Sequence, residues 1–230
     1  MSYLWQEFNI KTFPAETLVF RDGVFCEDLS DYKNIKFENN IIKITKTDKL
    51  PVHIIYIGEI SGNNDINIDI LSKNSKIFLT SKIKNKKPAF LNIFVKNTGE
   101  NSELNGKIIA ENNNNLKINI KGQHFCENTG IFIKTNVIAY KNTETELNGY
   151  AIIDKNSPDC ESDISFSVMA DEKARIIMKP TQYINSVPKE ASHSASLYKP
   201  NDNQIIYLRE SGLSGEEIKQ VLKEAFMSLI

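Results

Sequence analysis

A mainly β body closed by a short helical tail is the fold the sequence predicts, and three observations predict it. Alternating apolar and polar residues recur in short runs from Ile35 to about Ile184. Asn, Gly, Ser and Lys interrupt those runs at regular spacing. Past Ala195 the period changes from two to that of a helix. A barrel, a sandwich and a β-solenoid all fit the β part, and the residues leave the three open.

Features of the sequence lean towards the solenoid. Ser102-Glu103-Leu104-Asn105-Gly106 is echoed by Thr145-Glu146-Leu147-Asn148-Gly149, 43 positions later, a spacing that suits about two coils of a β-helix. The asparagine load, including Asn112 to Asn115, suits tight corners, because Asn tolerates the left-handed backbone. The two-residue hairpin signal is scarce between matched strands. One instance stands near the start, where Phe20-Arg21-Asp22-Gly23-Val24-Phe25 reads as a hairpin turned by Asp-Gly.

The strands themselves follow in order. Ile41 to Ile44, Ile66 to Ile70, Leu91 to Val95 and Leu116 to Ile120 read as strands of this texture, as do Ile131 to Ile133 and Ile164 to Val168. Isoleucine in excess at period two marks half-buried strands. Residues 1–30 read as a lead-in, 31–196 as the β core and 197–230 as the helical segment. In that last segment Pro200-Asn201-Asp202 caps a short helix through Glu210, which Gly212 terminates. Ser214-Gly215-Glu216-Glu217 is a capping box. Ile218, Val221, Leu222, Ala225, Phe226 and Leu229 then form one apolar helical face, for packing on the body or for docking a partner.

The composition bounds the function. At 230 residues with net charge −1, the chain has no basic excess of the kind that grips a nucleic-acid backbone. The run Lys82 to Lys87 reads as a solvated turn. No stretch approaches the ~20 apolar residues of a membrane span, and the N-terminus lacks signal-peptide order, so a cytoplasmic protein is the expectation. Three cysteines, Cys26, Cys126 and Cys160, lie far apart with no CxxC pair, which argues against a disulfide framework. There is no GxxxxGK[ST], hence no phosphate-binding loop and no ATP hydrolysis by this chain.

The segment Ala191-Ser192-His193-Ser194-Ala195-Ser196, followed by Gln204-Ile205-Ile206-Tyr207-Leu208-Arg209 and then Gly212, Leu213, Ser214, Glu217 and Phe226, resembles the SufB/SufD family. Ile177 to Ile184 resembles that family's last β-helix rung. The resemblance is dense from about Ala174 to Phe226 and looser upstream. Glu210 departs from it, and so does the short N-terminal region. The resemblance implies a right-handed parallel β-helix closed by C-terminal helices. It implies a non-enzymatic scaffold of iron–sulfur cluster assembly that pairs with a SufB-like chain or a second copy of itself and docks a SufC-like ABC ATPase. Neither membrane nor nucleic acid is an expected partner. No stably bound cofactor is expected, only a transient cluster at a subunit interface.

Several residues are candidates for chemistry. His193 stands where the family places a histidine near the scaffold interface, and its imidazole is an iron-ligand candidate. Its neighbours are Ser192 and Ser194, and Ala174 stands where SufB-type chains carry a cysteine; both departures favour a SufD-like or minimal homodimeric member. Cys126 and Cys160 are further ligand candidates, with His124 and Cys126 placed on one strand face. His53 reads as a core or edge residue, and Glu161 and Asp163 as solvating a turn after Pro158. Docking candidates are Tyr207, Leu208, Arg209, Leu213, Glu217 and Phe226. A β-solenoid carbohydrate-active enzyme and a passive binding module are the alternatives. The former needs paired carboxylates on one face, which the strands do not display.

Overall fold

The structure is a computed structural model that describes residues 16–22, 24–28, 35–45 and 51–228. Strict alternation of burial, such as the pattern of Glu103–Asn112 in which every second side chain is buried, shows strands with one face on a core and one on solvent. The strands wind into a parallel β-solenoid of about six turns.

Each coil contributes one strand to each of two sheets. The first sheet holds β1 (Glu16–Arg21), β2 (Val24–Asp28), β5 (Val52–Glu59), β7 (Lys76–Asn85), β9 (Glu103–Asn112), β11 (Gly130–Ala139), β13 (Glu161–Ala170) and β15 (Glu190–Tyr198). The second holds β3 (Ile35–Glu38), β4 (Ile41–Ile44), β6 (Gly62–Ile70), β8 (Ala89–Asn97), β10 (Asn115–His124), β12 (Glu144–Ile153) and β14 (Arg175–Ile184). The β1–β2 hairpin forms where Asp-Gly predicts it, with Arg21 opposite Val24 and Asp22 at φ 51°.

The 43-residue echo has a different meaning from the expected one. From β4 onward, partners in successive coils lie 25 to 31 positions apart. The echo therefore spans one and a half coils, and it sets Leu104 in β9 and Leu147 in β12, in opposite sheets. Both sheets face one core, so the same Leu-x-Gly texture serves either side.

The corners carry the true repeat. Ser72-Lys73-Asn74-Ser75, Gly99-Glu100-Asn101-Ser102, Cys126-Glu127-Asn128-Thr129 and Ser157-Pro158-Asp159-Cys160 lead into β7, β9, β11 and β13. In each, the third residue is left-handed, at φ 53°, 54°, 54° and 56°. A side chain at the fourth position closes the turn: Ser75 Oγ donates to Ser72 O at 2.9 Å, Ser102 Oγ to Gly99 O, and Thr129 Oγ1 to Cys126 O at 3.1 Å. Stacking is close enough that a Cβ on Gly99 would lie 2.0 Å from Ser72 O. The run Asn112 to Asn115 works otherwise. None of the four is left-handed; Asn112 instead donates from its side chain to Glu144 O and Thr145 Oγ1 of the next coil. Likewise Lys82 and Lys84 stand on β7 rather than in a turn, while Lys86 pairs with Glu59 at 3.0 Å.

Outside the second sheet runs an amide ladder: Asn148 donates to Asn119, Asn119 to Asn92 and Asn92 to the Asp65 carboxylate, at 2.9, 2.7 and 2.8 Å. It ties four coils in one register.

Two helices follow, α1 (Asp202–Glu210) and α2 (Gly215–Ser228). Asn201 and Gln204 form a capping box on α1, and Gly212 ends the segment at φ 89°. Ser214 and Glu217 cap α2 through reciprocal bonds. The buried stripe of α2 is narrower than its apolar face: Ile218, Leu222 and Phe226 are buried, Val221 and Ala225 are exposed, and Leu229 lies outside the described residues. No helix among the described residues is long and apolar enough to cross a membrane.

Candidate functional site

The solenoid's core has an open end. In the first sheet one core column runs Leu18, Ile54, Leu79, Gly106, Ile133, Ile164. His193 takes the next place, opposite Ile164 on β15. Ile164 is 1% exposed, whereas His193 is exposed, because among the described residues no further coil covers it. The same holds along the terminal layer. Leu197, in register with fully buried Val168, is 60% exposed, Ile184, in register with fully buried Ile153, is 42% exposed, and Val187 at the adjoining corner is exposed too. Ile176 and Met178 on β14 pack only partly on the core. An imidazole thus stands in a hydrophobic column at the one level where solvent or a partner can reach it.

The geometry across this layer follows from the layer beneath. A Cβ on Gly149 would lie 2.9 Å from Ile164 and 3.0 Å from the Phe166 ring. Pro180, His193 and Ala195 sit over those three residues. Gln182, over Ala151, has a buried Nε2 with no hydrogen-bond partner.

The two cysteine candidates lie elsewhere. Cys160 Sγ donates to Cys126 O at 3.2 Å and lies 3.2 Å from Thr129 Oγ1, which in turn meets His124 Nδ1 at 2.7 Å. Strand β10 ends at His124, so Cys126 belongs to the corner and not to a strand face shared with His124. These positions are structural slots in neighbouring coils. Asn97, one coil below His124, bonds the Ser102 hydroxyl just as His124 meets Thr129. Ser75, Ser102 and Thr129 occupy the place of Cys160. Burial raises the Cys160 thiol above its ordinary value, which disfavours the thiolate that a metal requires. Burial also pushes His124 down to about 4. Thr129 Oγ1 lies within hydrogen-bond distance of both Cys126 O, at 3.1 Å, and His124 Nδ1, at 2.7 Å. Cys26 lies in β2.

His53 stands on the outer face of β5, flanked by β1 and β7, and stacks on Phe78 at 4.9 Å, so it is neither core nor edge. Burial lowers its pKa. Glu161 and Asp163 are outward residues of β13 rather than of a turn, and Glu161 pairs with Lys189 at 2.6 Å. Ala174 lies in the corner before β14.

The tail separates anchor from free surface. Phe226 is 1% exposed; it packs on Tyr198 at 5.3 Å and its carbonyl accepts from Asn136 Nδ2. Glu217 is engaged in the α2 cap, its carboxyl held below the usual carboxylate range by the Ser214 hydroxyl and N–H. Helix α1 has no buried residue at all, and Ile206 and Tyr207 are 51% and 69% exposed. Leu208 and Leu213 are half-buried, and Arg209 is exposed. The free apolar surface is therefore on α1, a residue pattern that sequence periodicity could not separate from the packing of α2.

No curated protein matches the chain. Residues 36–226 match the family described as SUF system FeS cluster assembly, SufBD core domain. That match spans the coils from β3 onward, the open end with His193 and the helices up to Phe226, and on it the chain belongs to the SufBD core family of the iron–sulfur cluster assembly system.

Proposed function

We propose that this chain is a non-catalytic scaffold subunit of the SUF complex in the cytoplasm, SufD-like or minimal in type. It pairs with another SufB/SufD-type chain through the open end of its solenoid and docks a SufC-like ABC ATPase through α1. The observation that carries this reading is the exposed terminal layer, in which a histidine replaces the apolar residue of every other coil. A sheet edge left open over an apolar core invites a second chain to continue it. His193 then becomes an iron ligand at the junction, with the nascent cluster as cargo. Among the described residues no three His, Cys, Asp or Glu side chains form a metal-binding group, so the remaining ligands come from the partner.

The outward carboxylates support a scaffold over a hydrolase. Glu144 pairs with Arg175, Glu146 with Lys117 and Glu161 with Lys189. Phe226, as the buried anchor of α2, holds the tail on the body, while Tyr207, Leu208 and Arg209 belong to the helix that α2 presents.

Binding of the purified SufC-like ATPase to the chain tests the docking role. Tyr207→Asp, on an exposed helix, should abolish co-elution and leave thermal unfolding unchanged. A variant that still co-elutes at the wild-type ratio refutes docking through α1.

A further inference from the structure

The outer face of the first sheet changes character over its last two strands. In register across β7, β9 and β11, one outward column holds Thr80, Lys107 and Lys134, and the next holds Lys82, Ile109 and Asn136. On β13 and β15 the first column continues as Ser165 and Ser194, and the second as Ser167 and Ser196. Short hydroxyl side chains thus follow bulkier ones, and the floor of the face drops. Beside it stands α2, with Phe226 packed on Tyr198. The step and the helix together frame a hollow of about 380 Å³ over the four serines, bordered by Lys134, Asn136, Tyr198 and Phe226.

The donors in this hollow fall into two groups. Ser167 and Ser196 spend their hydroxyls on each other, at 2.9 Å, and on Phe166 O. Lys134, Ser165 and Ser194, which form one column on three adjacent strands, make no side-chain hydrogen bond or ion pair among the described residues. No carboxylate borders the hollow. Asn136 donates to Phe226 O at 2.8 Å, and so covers a carbonyl at the C-terminal end of α2, where helix polarity would repel an anion.

We propose that the column Lys134–Ser165–Ser194 binds a phosphate dianion, free or as the monoester of a small organic molecule. Hydroxyls on strands about 4.8 Å apart reach separate oxygens of one tetrahedral anion. The Lys134 ammonium supplies the countercharge that hydroxyls lack, and Lys107, next in the column, adds positive potential. Three donor groups in a row match the three terminal oxygens of a phosphate ester better than the two of a carboxylate. Leu197 and Tyr198 at the rim leave an apolar bed for the organic part of a monoester. The column faces away from the core, so the site does not depend on the open end being paired.

Calorimetric titration of the full-length chain tests the site, in phosphate-free buffer at fixed ionic strength with inorganic phosphate and glycerol phosphate as probes. One saturable site per chain is expected for at least one probe, and none for glycerol. Tighter binding of inorganic phosphate identifies the free ion as ligand, and tighter binding of glycerol phosphate the monoester. Lys134→Met should weaken binding tenfold or more, as expected for a lost hydrogen bond to a charged group. Lys134 is exposed, so that variant should keep the wild-type circular dichroism. Ser165→Val, which sets a bulkier apolar side chain in the floor, should remove binding, whereas Lys155→Met in a distant exposed corner should leave it unchanged. Absence of saturable binding by either probe in the wild type overturns the proposal, as does binding that Lys134→Met leaves undiminished. Sulfate bound as tightly as phosphate would reduce the hollow to an unselective anion trap and overturn the assignment to phosphate.

Discussion

His124 shows how a corner sets the charge of a side chain. Its ring is fully buried, and burial moves its pKa from 6.5 to about 4. The fold favours the neutral form, so its contribution is complete above pH 6.5. It is lost as pH falls towards 4, a difference of about 3 kcal/mol at 1.36 kcal/mol per unit. His53, also lowered by burial, acts in the same direction. Denaturant midpoints at pH 7.5 and 4.5 should therefore differ more in the wild type than in His124→Asn, which copies Asn97 of the coil below. Equal differences would mean that His124 does not titrate in this window. Asn128 offers a second test, since it is left-handed at φ 54°. Asn128→Ala should cost about 1–2 kcal/mol in denaturant unfolding, and Asn128→Gly much less. Neither role was legible beforehand. His124 and Cys126 looked like a ligand pair because alternation was carried past the end of the strand. The triplets Lys73-Asn74-Ser75, Glu100-Asn101-Ser102 and Glu127-Asn128-Thr129, 27 residues apart, were the signal that places Cys126 and Asn128 in a corner just past the strand that ends at His124.

At the scale of elements, the helices were the easiest to read, since caps and period are local. Asn201, Ser214 and Gly212 act as their residue types predict. Which face of α2 is buried depended instead on a distant strand, through Asn136 and Tyr198, and no local pattern encodes that. Phe226→Ala should release α2 from the body, seen as rapid proteolysis within Gly215–Ser228, while the strand signal in circular dichroism persists. Loss of strand signal instead would mean that α2 helps hold the coils together. The amide ladder invites a similar test. Asn119→Ala breaks it at its middle and should cost about 1–2 kcal/mol, the value of a net hydrogen bond plus an unsatisfied neighbour.

For the whole molecule, strand texture revealed the β class but not the sheet to which each strand belongs. Both sheets present the same alternation to one core, so Leu104 and Leu147 suggested a repeat of about two coils although they lie one and a half coils apart in opposite sheets. The open end was equally hidden, because β14 and β15 alternate as the inner strands do. In a solenoid each coil contacts only its neighbours, and stability is close to a sum of nearest-neighbour terms. Ile120→Ala in the middle should therefore cost about 2–5 kcal/mol, whereas Met178→Ala in the half-covered terminal layer should cost clearly less in the same denaturant series. The coil that carries His193 has a neighbour on one side only, so its amides should be the first in the solenoid to exchange hydrogen for deuterium. Local opening there leaves the inner coils protected. A partner that closes the layer would slow exchange in β14 and β15 by the factor that its binding energy allows, which makes deuterium uptake at these strands a direct gauge of assembly.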